Sequence, residues 1–169
     1  AASCLDMFNA CADRVTMSNI AQTVNVLQCL IEAHGPEAWL TPTYHVYSLY
    51  QAHVGQDSVG TFVETEELGV LSPQGLPVGQ ISASASVARD GSRAAFTVTN
   101  RNYSGSVECV LRLQDHSLGD ASARVLAGDE AMSANSAASP DAVAPSALAV
   151  KSADDGLTVE LPPHSVAVV

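Results

Sequence analysis

The period of the apolar residues changes once along this 169-residue chain, between Gly55 and Gly60. Before that point apolar side chains recur at three- and four-residue spacing, which puts them on one face of a helix. Beyond it they alternate with small or polar residues, which puts them on one face of a strand. Neither a uniform helical bundle nor a uniform sheet satisfies both patterns. The chain therefore divides into a mainly helical region over residues 1–56 and a strand-rich domain over residues 57–169.

Within the first region, Leu5, Phe8 and Ala12 form an i, i+3, i+7 face, with Ser3 placed to cap it, so residues 3–13 read as a short helix. Val15–Ala21, VTMSNIA, is an apolar run of strand length. Val24, Leu27, Leu30 and Ile31 return to helical spacing, and His34-Gly35-Pro36 stops that turn. Thr41-Pro42 opens a further helix, running to His53. The threonine hydroxyl can accept an orphan backbone N–H, and proline at the first helical position loses no hydrogen bond. Val46, Leu49, Tyr50 and His53 line one face of it. The order is helix, strand, helix, helix.

In the second region Thr61–Glu64, Gln80–Ala88, Ala94–Thr99, Ser106–Leu113, Ala123–Leu126, Leu157–Leu161 and Ser165–Val169 read as short strands. Asp90-Gly91 is a hairpin signal between two of them. Gly128–Ala149 is rich in Ala, Ser and Pro but reads as a long ordered connection, because strand signals resume after it. Short strands separated by turns predict an antiparallel sandwich or jelly roll.

Seven basic residues stand against 18 acidic ones, a net charge of −11, and Lys151 is the one lysine. No positive patch can be assembled to displace counterions, which excludes nucleic acid and anionic membrane as partners. No run approaches the roughly 18 apolar residues of a membrane span, and no signal peptide opens the chain, so the expectation is a soluble protein. The start AASC, without a methionine, fits a processed or excised piece. Cys4, Cys11, Cys29 and Cys109 lack CxxC spacing and read as buried free thiols, which points to a reducing compartment.

Motifs for a nucleophile elbow, a phosphate loop, a dinucleotide site or a metal centre are absent, and no cofactor is called for. The five histidines are dispersed and read as core or surface residues. Glu64, Glu66 and Glu67 read as a solvated edge rather than a catalytic pair, since such a pair is defined by geometry. Asn19 points into a barrel or caps a turn, and Trp39, Tyr44, Tyr47 and Tyr50 read as packing residues. Phe62, Phe96 and Tyr103, the aromatic residues of the second region, read as core. Gln22 leaves two readings open. If Val15–Ala21 is a barrel strand, Gln22 stands at its C-terminal rim, where barrel enzymes place active-site residues and an amide can hold sugar hydroxyls. Otherwise it is a loop amide bonding nearby backbone, the plainer reading from the residues alone.

DRVTMSNIAQTVNVLQCLI followed by LTPTYHVYSLYQAH resembles the end of the catalytic barrel of family 51 glycoside hydrolases, the α-L-arabinofuranosidases. ARVLAGDEAMSANSAASPDAVAP and LTVELPPHSVAVV resemble that family's C-terminal sandwich. The resemblance implies the end of a (β/α)8 TIM barrel (its last helix, strand and helix) over residues 1–56, followed by an antiparallel jelly-roll β-sandwich over 57–169. It implies a retaining glycosidase acting on arabinofuranosyl units of arabinoxylan, arabinan and their oligosaccharides. The two catalytic glutamates would lie upstream, so no catalytic residue falls in this chain. The glutamine of the family's N-I-A-Q-x-V-N motif falls on Gln22, which tips it toward a substrate contact, and its neighbour Asn25 is the second candidate substrate-binding residue that the resemblance implies. The remainder of the barrel is the implied partner, in a cytoplasmic homo-oligomer. Cys29, His34 and the loop SANSAAS depart mildly from the family pattern. The rival reading is a non-catalytic carbohydrate-binding or structural sandwich module.

Overall fold

A computed structural model describes residues 1–27, 29–153 and 156–169. Helix α1 (Ala2–Ala10) is followed, after a long irregular segment, by strands β1 (Ile31–His34) and β2 (Glu37–Leu40) and by helix α2 (Pro42–Tyr50), which runs into a 3-10 turn at Gln51–His53. The rest is strand and loop. In order come β3 (Asp57–Val59), β4 (Glu67–Leu71), β5 (Pro77–Gly79), β6 (Ile81–Val87), β7 (Ala94–Asn100) and β8 (Val107–Leu111). They are followed by β9 (Ala123–Leu126), β10 (Ser146–Leu148), β11 (Val150–Ala153), β12 (Gly156–Leu161) and β13 (Ser165–Val168).

Six strands form one antiparallel sheet in the order β10-β9-β13-β7-β6-β3, three form a second in the order β11-β12-β8, and β4 pairs with β5 in a separate hairpin. Alternation along each strand explains how the sheets stack. Ile81, Ala85, Phe96, Val98, Val125 and Ala167 of the larger sheet meet Leu111, Leu157, Val159 and Leu161 of the smaller in one core. Val98, Val159 and Leu161 are at most 1% exposed. Each such side chain contributes about 1.5–3 kcal/mol by leaving water. This is a β-sandwich.

The larger sheet is covered on its other face as well. Ser82, Ser84 and Ser86 of β6 and Thr97 and Thr99 of β7 alternate with the core residues and lie beneath α1 and the 3-10 turn. Further along the same face, Leu126, Val166 and Val168 pack with Ala2, Leu5, Val46, Leu49 and Tyr50 of the helices in a second apolar cluster. Helices α1 and α2 are thus docked on the sandwich. They use its back face as their core.

Several expectations are corrected. Helix α1 starts at Ala2 with Ala1 as its cap position and no side-chain cap, so Ser3 lies inside it. Val15–Ala21 is neither strand nor helix, because a barrel strand exists only through neighbours on both edges and the described residues supply none. The end of a TIM barrel is therefore not evident as such. The helix expected from Val24 onward is instead a loop leading into the β1–β2 hairpin; Gln28, in the same segment, lies outside the described residues. Its turn pairs His34 with Glu37 across Gly35-Pro36, and Gly35, at φ +59°, occupies the first central position of a two-residue hairpin. Thr61–Glu64 is not a strand, whereas β3, β4 and β5 flank it on both sides.

Other expectations hold. Thr41 caps α2, its hydroxyl accepting from the Tyr44 N–H at 3.3 Å, with Pro42 at the first helical position. Asp90-Gly91 makes the β6–β7 turn, Gly91 at φ +71°. The strands over 106–113, 123–126, 157–161 and 165–169 appear within a residue or two of their expected bounds. The Gly128–Ala149 stretch is ordered as expected, held from within by buried Asn135, whose amide donates to Leu40 O and Val143 O and accepts from Val143 N, but it is not all connection: Ser146–Leu148 forms β10, paired with β9.

Candidate functional site

Gln22 and Asn25 lie in the loop between α1 and β1, and both take the left-handed conformation at φ 56°. Asparagine enters that region readily, glutamine less so, at a cost of about 1–2 kcal/mol. Both residues are exposed. The Gln22 amide has no hydrogen-bond partner among the described residues, which overturns the plainer reading of it as a loop amide bonding neighbouring backbone. Asn25 is engaged: its Nδ2 donates to Ala33 O at 2.8 Å and its Oδ1 accepts from Ala33 N at 2.7 Å. Of the other polar and aromatic residues of this region, Asn19 is exposed, Trp39 is half-buried with its indole N–H unpartnered among the described residues, and Tyr50 is buried. Among the described residues of this loop the Gln22 carboxamide stands unpartnered three residues from the hydrogen-bonded Asn25, able both to donate to and accept from sugar hydroxyls.

The other polar constellation is buried. Asp6 sits on the inward stripe of α1 with Ala2 and Leu5, 4% exposed. Its carboxylate accepts from Tyr50 Oη at 2.5 Å, Ser82 Oγ at 2.7 Å, Ser84 Oγ at 3.0 Å, Thr97 Oγ1 at 3.1 Å and Thr99 Oγ1 at 3.4 Å. Such a shell replaces the water a buried charge has lost. Burial pushes the Tyr50 phenol far above its ordinary range, and the neighbouring Asp6 charge adds to that. His53 extends the network, Nδ1 to Ser86 Oγ at 2.6 Å and Nε2 to Thr97 Oγ1 at 3.0 Å. Burial lowers its pKa, partly opposed by Asp6. Asp6, Tyr50, Ser84, Ser86, Thr97 and Thr99 of this cluster are all buried. The cluster fastens helix to sheet.

The sequence pattern passed over Asp6, although Ala2, Leu5, Asp6 and Asn9 fall at i, i+3, i+4 and i+7, the signature of a buried stripe with an acid in it. His45 is buried with Nε2 unpartnered, and burial lowers its pKa against the pull of Asp141. The thiols are free, but Cys4 is exposed and Cys29 alone is fully buried, so the expectation of four buried thiols holds only in part. Phe96 is core, whereas Phe62 and Tyr103 are 89% and 70% exposed, contrary to expectation. Phe62 lies in the unpaired segment before β4, and the Tyr103 ring packs on His164.

Two open grooves mark the surface. One, about 270 Å³, crosses the outer face of the smaller sheet past Glu108, Lys151, Thr158 and Glu160. Glu108 and Glu160 are direct cross-strand partners there, yet both are exposed and lack the differing environments that make one carboxyl an acid and another a nucleophile. The second, about 650 Å³, lies between the end of α1 and β3. Among the described residues no group of three or more His, Cys, Asp or Glu side chains is placed to hold a metal ion, and no helix is long and apolar enough to cross a membrane.

The fold is that of a β-sandwich with two helices packed on the back face of its larger sheet. The family model for the α-L-arabinofuranosidase C-terminal domain matches residues 1–165, and the chain belongs to that family. An intracellular exo-α-L-arabinofuranosidase of Bacteroides ovatus is 31% identical over 163 residues, 96% of this chain and 31% of that protein. The GH51 arabinofuranosidase of Xanthomonas axonopodis pv. citri superposes with a TM-score of 0.87 at 32% identity, over 96% of this chain and 32% of its own. The thermostable GH51 α-L-arabinofuranosidase of Thermotoga petrophila gives 0.79 at 26% identity, over 97% and 35%. The chain thus spans about a third of the length of the relatives it matches.

Proposed function

We propose that this chain is the C-terminal portion of a retaining α-L-arabinofuranosidase that removes terminal arabinofuranosyl units from arabinoxylan, arabinan and arabino-oligosaccharides. The observation that carries the reading is the likeness to α-L-arabinofuranosidases along almost the whole chain, at 31% and 32% identity in two relatives. In a retaining mechanism one glutamate attacks the anomeric carbon while a second protonates the departing oxygen. The second then takes a proton from the water that breaks the glycosyl-enzyme bond. Both glutamates are assigned to the preceding barrel. Residues 1–56 are assigned to the end of that barrel and 57–169 to a jelly-roll sandwich that braces it. Gln22 is assigned to the sugar, its free amide at the rim holding furanose hydroxyls. The enzyme is placed in the cytoplasm as a homo-oligomer, in keeping with the word intracellular in the name of the Bacteroides relative.

The experiment is direct. The product of the complete gene should release arabinose from an aryl α-L-arabinofuranoside with retention, and residues 1–169 alone should release none. Turnover by the purified chain, free of other hydrolases, would defeat the assignment of both glutamates upstream. A second reading, a carbohydrate-binding module, draws on the exposed Phe62 and Tyr103. Retardation of the chain in a gel containing arabinan would favour it; unchanged mobility favours a brace.

A further inference from the structure

We propose that Asn25 is a positioning residue for Gln22: its side-chain amide docks on the free edge of β1 in place of a neighbouring strand and fixes the loop that presents Gln22. This rests on the reading of Gln22 as a sugar contact. The main chain begins the pairing. Val24 bridges Ile31 in parallel fashion, Asn25 N donates to Ile31 O at 3.1 Å, and Thr23 O accepts from Leu30 N and Ile31 N at 3.0 Å each. The next step of the ladder is made by a side chain, Asn25 taking both the N–H and the C=O of Ala33. Ala33 faces Ala38 on the opposite edge of β1, inside the hairpin. A carboxamide reproduces the donor and acceptor of a peptide group, which a carboxylate or an alkyl side chain cannot. The hairpin behind it is anchored in turn, Thr41 Oγ1 donating to Cys29 O and Asn135 Nδ2 to Leu40 O. Gln22 is three residues from this clamp in the same left-handed conformation, and among the described residues its own side chain has no partner to hold it.

The test is a double-mutant cycle in the complete enzyme, with Gln22→Ala, Asn25→Gly and both together. Glycine keeps the left-handed backbone accessible and removes only the clamp. Asn25→Gly should lower kcat/KM for an aryl arabinofuranoside roughly ten- to a hundredfold, the range that misplacing a substrate contact produces. In the Gln22→Ala background the same change should cost less than about twofold, because the group it positions is gone. Asn25→Asp, which retains the acceptor but not the donor, should fall between. Equal losses in both backgrounds would show that Asn25 acts independently of Gln22 and would overturn the proposal. No loss from Gln22→Ala itself would remove the sugar contact on which it rests. Faster hydrogen exchange at the Ala33 amide in Asn25→Gly is the expected physical correlate; unchanged exchange would also overturn it.

Discussion

Asp6 is the residue on which the junction between helix and sandwich turns. A carboxylate with 4% exposure is tolerable only because Tyr50 and four hydroxyls of β6 and β7 surround it. Asp6→Ala leaves all of those donors facing a void, so unfolding in urea should show a loss of about 3–5 kcal/mol. Asp6→Asn, which keeps one acceptor, should lose less, and Tyr50→Phe, which removes one donor, about 1–2 kcal/mol. A loss below that of Tyr50→Phe in the alanine variant would mean that the network is not made in solution. His53 titrates within the same cluster, facing Ser86, Thr97 and the charge of Asp6, with Gln56 bonded to Ser86. Its folded pKa is lowered, so the unfolded chain binds the proton more readily. The contribution of neutral His53 is therefore complete above about pH 6.5 and is lost as the pH falls through the folded value. His45 acts in the same direction. His53→Gln should flatten the fall in the urea midpoint between about pH 7 and pH 5. An unchanged slope would place the effect elsewhere.

At the scale of elements, β12 carries the smaller sheet, with β11 on one side and β8 on the other. It opens at Gly156, where a Cβ would press on the backbone carbonyl of Leu111 and the stem of Arg112. Backbone cannot yield as a side-chain tip does, so Gly156→Ala should destabilise by about 1–3 kcal/mol, read as a lower melting temperature. A neutral result would mean that the β12–β8 spacing relaxes freely. The strands most legible in the sequence are those whose apolar residues meet the opposite sheet, Leu157, Val159 and Leu161 above all. Alternation does not say what covers the second face of a strand: the serines of ISASASV carry no apolar signal, yet Ser84 and Ser86 are 2% exposed beneath α1 and the 3-10 turn. The hairpin at Ile31–Leu40 was missed because Gly35-Pro36 stops a helix and turns a strand equally well, and only the partner strand decides. Gln22 is singled out by a motif alone and its role is a proposal, whereas the clamp of Asn25 on Ala33 joins residues eight apart through a loop with no period to read.

Taken whole, the molecule closes its sandwich core but leaves apolar side chains exposed in the segment between α1 and β1. The sandwich core is closed and the back face of its larger sheet is covered by α1 and α2. Between α1 and β1, however, Met17, Val24 and Leu27 are 73%, 46% and 94% exposed. Apolar side chains gathered in one segment mark a surface that another body covers, and in the proposed enzyme that body is the rest of the barrel. The formal charge of −11 opposes close approach of two copies but is screened by salt. The isolated chain should therefore be monomeric in dilute, low-salt buffer and associate as salt and concentration rise, and Met17→Ser with Leu27→Ser should suppress that association without altering the sandwich. Sedimentation velocity across a salt series measures both. If the double variant associates as strongly as the parent, the adhesive surface lies elsewhere, and the exposed Val70, Leu71 and Leu76 of the β4–β5 hairpin are the next place to substitute.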